Sequence, residues 1–541
     1  MQEESLTLVR TIVEDYPILR LAPPVLAITL ALVLKEVNFA LIIAIVSGCL
    51  LLNISSTYEP PAQADAEVGQ RLETTFDLMA GVGEVATQFV NQVASAEHAS
   101  VILFTVLLGS MISLMNDSGG TNAVINRLAT YADTRRKGQV LTWLAGLLVF
   151  FDDYANTMLI GGSVRPLTDR LKISRAKLAF LVDATAAPIA GLALSTWTAF
   201  EIDQVKVGLD AAGMTVNSTD VFLQTIPFRI YPLMAIIFVG VVAFTGKDFG
   251  PMLKAENNWK PAEDPVADSQ LSAARGSVWT AIIPISVLIF SVIGLLYLDY
   301  RASPEDWWKN VDSYRLLLIT SMASSTAAVL SAVTIGRMKL REASESWGRG
   351  IMAMIPAIIV LILAWAINGI CGSDKLDTAG YIISLIGESV QPEFLPAIAF
   401  VAAGAMAVSI GSSFTTMGLL IPLFIPLANA ILGAEGVDVA TSSIFLATVG
   451  AILAGAIFGD HCSPISDTTV LSSAAAGCDH LQHVTTQVPY ALVMAICSLL
   501  FGYLPIGFGI PVWIALPVSV AASIGAVLFL GTASDHDSKQ I

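Results

Sequence analysis

The chain has 541 residues, 55% of them hydrophobic and 13% charged, with a formal net charge of −16. Soluble proteins carry about 25% charged residues, so this composition, with a mean hydropathy of +0.72, excludes an ordinary soluble protein and indicates a multi-pass membrane protein. The acidic balance argues against nucleic-acid partners, which need a basic surface.

Crossing the hydrocarbon core takes about 20 apolar residues in a helix. The opening MQEESLTLVRTIVEDY lacks the basic start and small-residue cleavage site of a signal peptide. Candidate spans follow at 17–34, 37–53 and 99–115, then an apolar block at 139–164, then spans at 178–200 and 227–245. The series continues with spans at 278–298, 316–335 and 351–370, a second block at 394–431, spans at 441–458 and 488–504, and a last one at 511–530.

Loop charge orients these segments, because cytoplasmic loops are rich in Lys and Arg. The first block follows Arg135, Arg136 and Lys137 and precedes RPLTDRLKISRAK, which includes Arg165 and Arg175; these arginines read as topology determinants. Both ends therefore lie inside, which suits a re-entrant hairpin with FDDYANT at its tip. Irregular backbone is tolerated at that depth only within protein or beside a water-filled cavity. The second block lies between GESVQPE and GAEGVDVATSS, so both its ends lie outside, around a polar tip at Gly411–Thr416. Acid-rich 57–77, 201–220 and 299–312 read as external and basic 337–349 as internal, while 247–275 is internal by the count of crossings. No role is evident for the external stretch at 54–77.

The expected fold is an all-α polytopic membrane protein with two inverted-topology repeats, 17–247 and 278–507, and an extra helix and tail at 508–541. Each repeat holds five membrane helices and a re-entrant hairpin. The hairpins, at about 139–164 and 394–431, precede broken helices at about 178–200 and 441–476. Inverted repeats whose broken helices meet at the midplane are typical of secondary transporters.

Chemistry-bearing residues concentrate at the hairpin tips and helix breaks. FFDDYANT supplies Asp152, Asp153, Asn156 and Thr157, and FLVDATAAPIAGLALSTWT supplies Asp183, Thr185, Pro188, Ser195 and Thr196. In the second half, GSSFTT supplies Ser412, Ser413, Thr415 and Thr416. FGDHCSPISDTT adds Asp460, Ser463, Pro464, Ser466, Asp467, Thr468 and Thr469. Proline removes a backbone donor and disrupts the helix, which leaves carbonyls beside carboxylates and hydroxyls. Such oxygens suit a hard cation. Na+ is expected at Asp152, Asp153 and Asp460, with the other residues lining the ion or substrate path.

A membrane-centre aspartate costs about 2.5–3.5 kcal/mol on insertion scales, so Asp152, Asp153, Asp183, Asp460 and Asp467 together cost about 12–17 kcal/mol before pairing, protonation and water lower the sum. Adjacent carboxylates repel, which favours a proton on one of Asp152 and Asp153. A group that trades a proton for a cation supplies the chemistry of cation/proton exchange.

Plainer roles compete with these. Ser and Thr at a helix break can simply satisfy freed backbone groups. Trp197 reads as a packing aromatic, His461 equally as a structural partner of Asp460, and Asp117 as solvated. The sequon Asn217-Ser218-Thr219 is a frequent chance match. The five cysteines show no CxxC pairing, and no HExxH occurs, so no resident metal or cofactor is expected beyond Na+ and H+ as transported or coupling ions. No arginine lies within the spans to hold an organic carboxylate, which favours inorganic cargo, although helix N-termini can hold carboxylates unaided.

FFDDYANTMLIGGSVRPLTDRLKISRAKLAFLVDATAAP and FGDHCSPISDTTVLSSAAAGCDHLQHVTTQVPYAL closely resemble the two signature regions of the NhaC-type Na+/H+ antiporter family. GSSFTTMGLLIP resembles it more weakly. The resemblance implies a multi-pass carrier of the inner (cytoplasmic) membrane, embedded in the lipid bilayer and homodimeric. It also implies a non-enzymatic Na+/H+ antiporter working by alternating access. The same family includes Na+-coupled carriers and exchangers of amino acids and small carboxylates, so a small organic solute is the alternative cargo. An intramembrane aspartyl protease fits poorly, because Ile457-Phe458-Gly459-Asp460 is not Gly-x-Gly-Asp. A passive channel would need a continuous polar path, whereas the breaks cluster at one depth.

Overall fold

The fold is given by a computed structural model that describes residues 8–534 apart from 35, 59–70, 194, 260–275, 303–311, 373, 387–389, 435 and 437. Strand β1 (Leu8–Thr11) precedes helices α1 (Ala22–Leu34) and α2 (Val37–Leu52), and β2 (Ile54–Tyr58) and β3 (Arg71–Phe76) complete an antiparallel sheet in the order β1-β2-β3. The stretch for which the sequence suggested no role thus forms strands on both sides of 59–70, which lies outside the described residues. Helix α3 (Leu78–Ala94) is capped by Asp77, whose carboxylate accepts from Ala80 N at 2.8 Å, and leads into the long α4 (Ala96–Asp117) and the short α5 (Gly120–Ala129).

The first hairpin is α6 (Arg135–Leu148) and α7 (Asp153–Arg170), separated by Val149–Asp152. The broken helix after it is α8 (Arg175–Ala190) and α9 (Thr196–Ala211). Then come α10 (Ser218–Thr225), α11 (Ile230–Thr245), β4 (Lys247–Asp248) and α12 (Gly250–Asn257). The second half opens with α13 (Trp279–Ala302), α14 (Ser313–Thr334), α15 (Leu340–Cys371) and α16 (Thr378–Ile386). Its hairpin is α17 (Leu395–Ile410) with α18 (Ser413–Ala434), and its broken helix is α19 (Ser443–Cys462) with α20 (Asp467–Ala476). Helix α21 (His480–Cys497) runs on through a π turn at Ser498–Tyr503, and α22 (Val512–Leu530) ends at β5 (Thr532–Ala533), which pairs with β4.

Among the described residues, nine helices are long and apolar enough to cross a membrane, and the bent pair Ser218–Phe228 and Ile230–Thr245, meeting at 46°, adds a tenth. The protein is therefore a nearly all-helical, multi-pass membrane protein. Helices α1 and α2 have only 13 and 16 residues, shorter than the spans expected there. The arms of the second hairpin, in contrast, are long enough to cross fully.

Helix α8 is buried at every residue from Ala176 to Pro188, and α19 from Phe445 to Ile457. A helix apolar all round belongs inside the bundle rather than against lipid. The two broken helices therefore form the centre, and each hairpin tip reaches the break of its own half. Gly411, at φ +75°, ends α17, and a Cβ there would lie 2.7 Å from Ile465 in the second break, so both the backbone turn and the close approach require glycine. The halves also interlock: a Cβ on Gly161 of α7 would lie 2.6 Å from Ala475 Cβ on α20.

Residues 201–220, expected as an external loop, begin as a buried continuation of α9: Glu201, Asp203 and Gln204 are all shielded from solvent. The helix does not stop at Phe200, so its next turn carries charge into the bundle. Two arginines, moreover, lie within the expected spans after all, Arg20 in 17–34 and Arg229 in 227–245. Arg229, just before α11, is buried and donates to Glu201 Oε2 at 2.7 Å and to the Gly191 carbonyl. It supplies a positive charge and a donor at the C-terminal end of α8, where carbonyls lack partners. Asp117, expected to be solvated, pairs with Arg349 at 2.6 Å.

Candidate functional site

Hydrogen bonds between the first hairpin tip and the first helix break fix the local backbone. Thr196 N donates to Phe151 O at 3.1 Å, and the Thr196 hydroxyl to Asp152 Oδ2 at 3.0 Å. Asn156 donates its amide to the carbonyls of Gly146 and Val149, at 2.7 and 3.0 Å, satisfying the open end of α6. Ser195 caps α9, accepting from Trp197 N and donating to Ala190 O. Thr157 and Thr185 donate to carbonyls of their own helices, and Thr185 also fills the notch at Gly146.

The second break is organised around Asp460. Ser466 donates to its Oδ1 at 2.6 Å and Thr468 to its Oδ2 at 2.5 Å, so two hydroxyls beyond the break hold one carboxylate before it. Ser463 Oγ accepts from Ile465 N at 3.4 Å. At the facing hairpin tip, Ser412 and Thr415 hydroxyls lie 3.0 Å apart, Thr416 donates to Ser412 O, and Ser413 donates to Ala456 O on α19.

Contacts between halves bring the aspartates together. Asp183 accepts from Thr469 at 3.3 Å and from Gln487. Tyr154 donates to Asp467 Oδ2 at 3.4 Å. Asp153 lies within the electrostatic reach of Asp152 and Asp460, and Asp460 within that of Asp183 and Asp467. Asp152, Asp153, Tyr154, Thr196 and Asp467 line a cavity of about 240 Å³ whose apolar wall includes Phe200 and Phe414. Phe414 of the second hairpin packs 4.9 Å from both Trp197 and Phe200, closing one side.

Three buried oxygens here, Asp153 Oδ1, Asn156 Oδ1 and Asp183 Oδ1, have no hydrogen-bond partner among the described residues, nor does one buried donor, Trp197 Nε1, which lies toward the Asp153 carboxylate. The oxygens are acceptors, and an unmatched buried acceptor costs about 1–3 kcal/mol. The expected three-carboxylate Na+ site is not assembled: among the described residues no group of three His, Cys, Asp or Glu side chains converges on one point. Both Asp460 oxygens are held by hydroxyls and Asp152 Oδ2 by Thr196. Sequence reading missed Tyr154, Tyr231 and Gln487. Tyr231 donates to or accepts from His461 Nδ1 at 3.0 Å. All three sit in otherwise helical segments where a phenol or amide leaves no periodic signature.

The sequence profile of the Na+/H+ antiporter family matches residues 189–508, more than half of the chain. The chain belongs to that family. This antiporter-family chain is 31% identical over 523 residues to an uncharacterized protein of Haemophilus influenzae, an alignment covering 94% of this chain and 95% of the other. A shorter stretch is 30% identical over 152 residues to an uncharacterized Na+/H+ antiporter of the same organism, 27% of this chain and 30% of that one. Another is 30% identical over 153 residues to the arginine/ornithine antiporter of Halobacterium salinarum, 28% of each chain. The crystal structure of the YdaH transporter of Alcanivorax borkumensis superposes with a TM-score of 0.58, covering 91% of this chain and 99% of that one at 15% identity. At that identity the likeness is one of fold. The antiporter family assignment agrees with the signature regions read from the sequence.

Proposed function

We propose that the chain exchanges Na+ for H+ across the inner membrane by alternating access, as a homodimer of protomers built from two inverted repeats. The observation that carries this reading is the excess of unmatched acceptors, three oxygens against the donor Trp197 Nε1. Asp153 Oδ1, Asn156 Oδ1 and Asp183 Oδ1 are buried acceptors beside further carboxylates. A cation or a proton satisfies them, and an anion does not. Na+ takes carboxylate, amide and hydroxyl oxygens in place of water. Asp152, Asp153 and Asn156 with Thr196 offer these from the first half, and Asp460 and Asp467 with Ser466 and Thr468 from the second.

Exchange follows if Na+ and H+ compete for the same oxygens. A proton on one carboxylate removes the charge that receives Na+, and Na+ arriving from the opposite side displaces the proton. Each hairpin tip packs on the broken helix of its own half; with ligands offered from both halves, a relative movement of those elements changes the side to which the ion is open.

A second reading keeps the fold and adds an organic solute. The cavity is larger than a dehydrated ion requires, and its Phe200, Phe414 and Met354 wall suits carbon. Arg229 does not serve as its anchor, because its guanidinium is committed to Glu201 and the Gly191 carbonyl. The deciding experiment uses proteoliposomes with a trapped pH dye and an imposed proton gradient, pulsed with Na+, K+, then amino acids and small carboxylates. Dissipation by Na+ alone establishes antiport. A silent dye with labelled solute entering only when Na+ is present assigns Na+-coupled uptake.

A further inference from the structure

Helices α20 and α21 meet at a chain of hydrogen bonds that runs outward from Asp183 of the ion site. Gln487 Nε2 reaches the Asp183 carboxylate and, at 3.0 Å, the His461 carbonyl; both are acceptors, so this end of the amide is the NH2 group. Its Oε1 faces His483 Nε2 across 3.0 Å, which places a hydrogen on that nitrogen. Similarly, His480 Nε2 donates to the Pro464 carbonyl at 2.6 Å. Both imidazoles therefore turn Nδ1 to one atom, Ser473 Oγ, at 2.8 Å from His483 and 3.1 Å from His480. That hydroxyl also lies 2.6 Å from Thr469 O.

The hydrogen count at Ser473 is two short. With both imidazoles neutral, a single hydroxyl hydrogen faces three acceptors: Thr469 O and the two Nδ1 atoms. One further proton on either Nδ1 halves the shortfall, that imidazole donating to Ser473 Oγ and Ser473 to Thr469 O, and only the other Nδ1 stays unmatched. We propose that His480, Ser473 and His483 form a proton-holding station, joined through Gln487 to Asp183, that serves the proton half of the exchange; this rests on the antiport reading above.

Position supports this role. His483 and Ser473 are fully buried, whereas His480 is half-buried and follows the exposed Asp479. The turn between α20 and α21 lies on the basic face, where Arg175 donates to Gly477 O at 3.0 Å and the Arg165 guanidinium crowds Gly477. A proton taken by His480 from water passes inward when His480 Nδ1–H donates to Ser473 Oγ and the Ser473 hydrogen moves to His483 Nδ1. The charged and titratable groups around the station are Asp183 and Arg175 of α8, Asp460 and His461 of α19, Tyr231 of α11, and Asp479. Asp248 of β4 faces Tyr490, two turns along α21. The carboxylates favour the extra proton, while burial, the second imidazole and Arg175 oppose it.

The test compares two fluxes in proteoliposomes of the full chain: Na+-driven proton movement across a range of pH, and labelled Na+/Na+ exchange at equal pH, which moves no net proton. His483→Gln is expected to slow Na+/H+ exchange by about tenfold or more and to flatten its pH profile, leaving Na+/Na+ exchange at the wild-type rate. His480→Gln changes the pH profile in the same sense, and Ser473→Thr, which keeps the hydroxyl, restores what Ser473→Ala loses. Unchanged rates and pH profile in both histidine variants overturn the station. So does equal loss of both fluxes in folded protein, which marks a purely structural role. Should His483→Gln fail to fold, the half-buried His480→Gln and the two Ser473 variants decide by the same comparison. A wild type that exchanges Na+ but moves no proton refutes the antiport reading itself, and the station with it.

Discussion

The Thr468 hydroxyl donates to Asp460 Oδ2 across the break between α19 and α20, at 2.5 Å, while Ser466 holds the other oxygen. These bonds stabilise the charged carboxylate, the form that receives a cation. Thr468→Val keeps the shape and removes the bond. A hydrogen bond to a charged group contributes about 1.5–3 kcal/mol, so Na+ half-saturation should rise about tenfold to a hundredfold. Initial rates of dye response against Na+ concentration measure this.

Asp153→Asn and Asp460→Asn should each abolish Na+-dependent proton movement in proteoliposomes. Their folding should be spared, because a buried aspartate costs energy in the membrane and an amide costs less. Size-exclusion profiles in detergent should match the wild type, with unfolding temperatures equal or higher. Wild-type exchange in both variants would remove these residues from the site.

Gly161→Val places a side chain where Ala475 already approaches, between the first hairpin and the second broken helix. Overpacking of this kind costs about 1–3 kcal/mol. Transport should fall at least tenfold, since α7 and α20 carry Asp153 and Asp467 and must stand further apart. Gly162→Val, one position along, meets nothing within 4 Å and should transport normally. Parallel flux assays of the two variants separate a local clash from a general helix effect.

Arg229→Met leaves Glu201 buried without its partner, and breaking such a pair typically costs about 3–5 kcal/mol. The unfolding temperature in detergent should drop, and Arg229→Met with Glu201→Gln should recover most of the loss. A double variant no more stable than the single one would mean that Arg229 acts mainly through the Gly191 carbonyl.

Much of this was legible in the sequence because a helix break in an apolar run must announce itself. FDDYANT, GSSFTT and CSPISDTT place Gly, Pro and polar groups where hydrocarbon residues are expected, and the breaks at Val149–Asp152, Gly411 and Ser463–Ser466 fall there. Loop charge was a weaker guide. Glu201 and Asp203 suggested a water-facing loop, but Glu201 lies inside beside Arg229, which precedes α11, and Asp203 beside Trp365 of α15, pairings that require the tertiary fold. The N-terminal strands were hidden for a related reason. ISSTY and RLETTF are short and only moderately apolar, and counting 20-residue spans passes over them. Gln487 lies in the first turns of α21, and nothing in HVTTQVPYAL shows that it meets Asp183 about three hundred positions earlier.

The two-residue pairing of β4 with β5 joins Asp248 to Thr532. Beneath it lie the buried ion pairs Arg135–Glu256 and Lys177–Asp248, with Tyr490 donating to Asp248 at 2.6 Å and Ser534 buried 3.5 Å from Arg135. Part of the cover over these four charges therefore comes from residues 399 positions further along the chain than Arg135. During synthesis that corner stays open to water or to a chaperone, and contacts so distant along the chain form late. A chain lacking the β5 strand would leave this charged corner without the backbone pairing that joins Thr532 to Asp248.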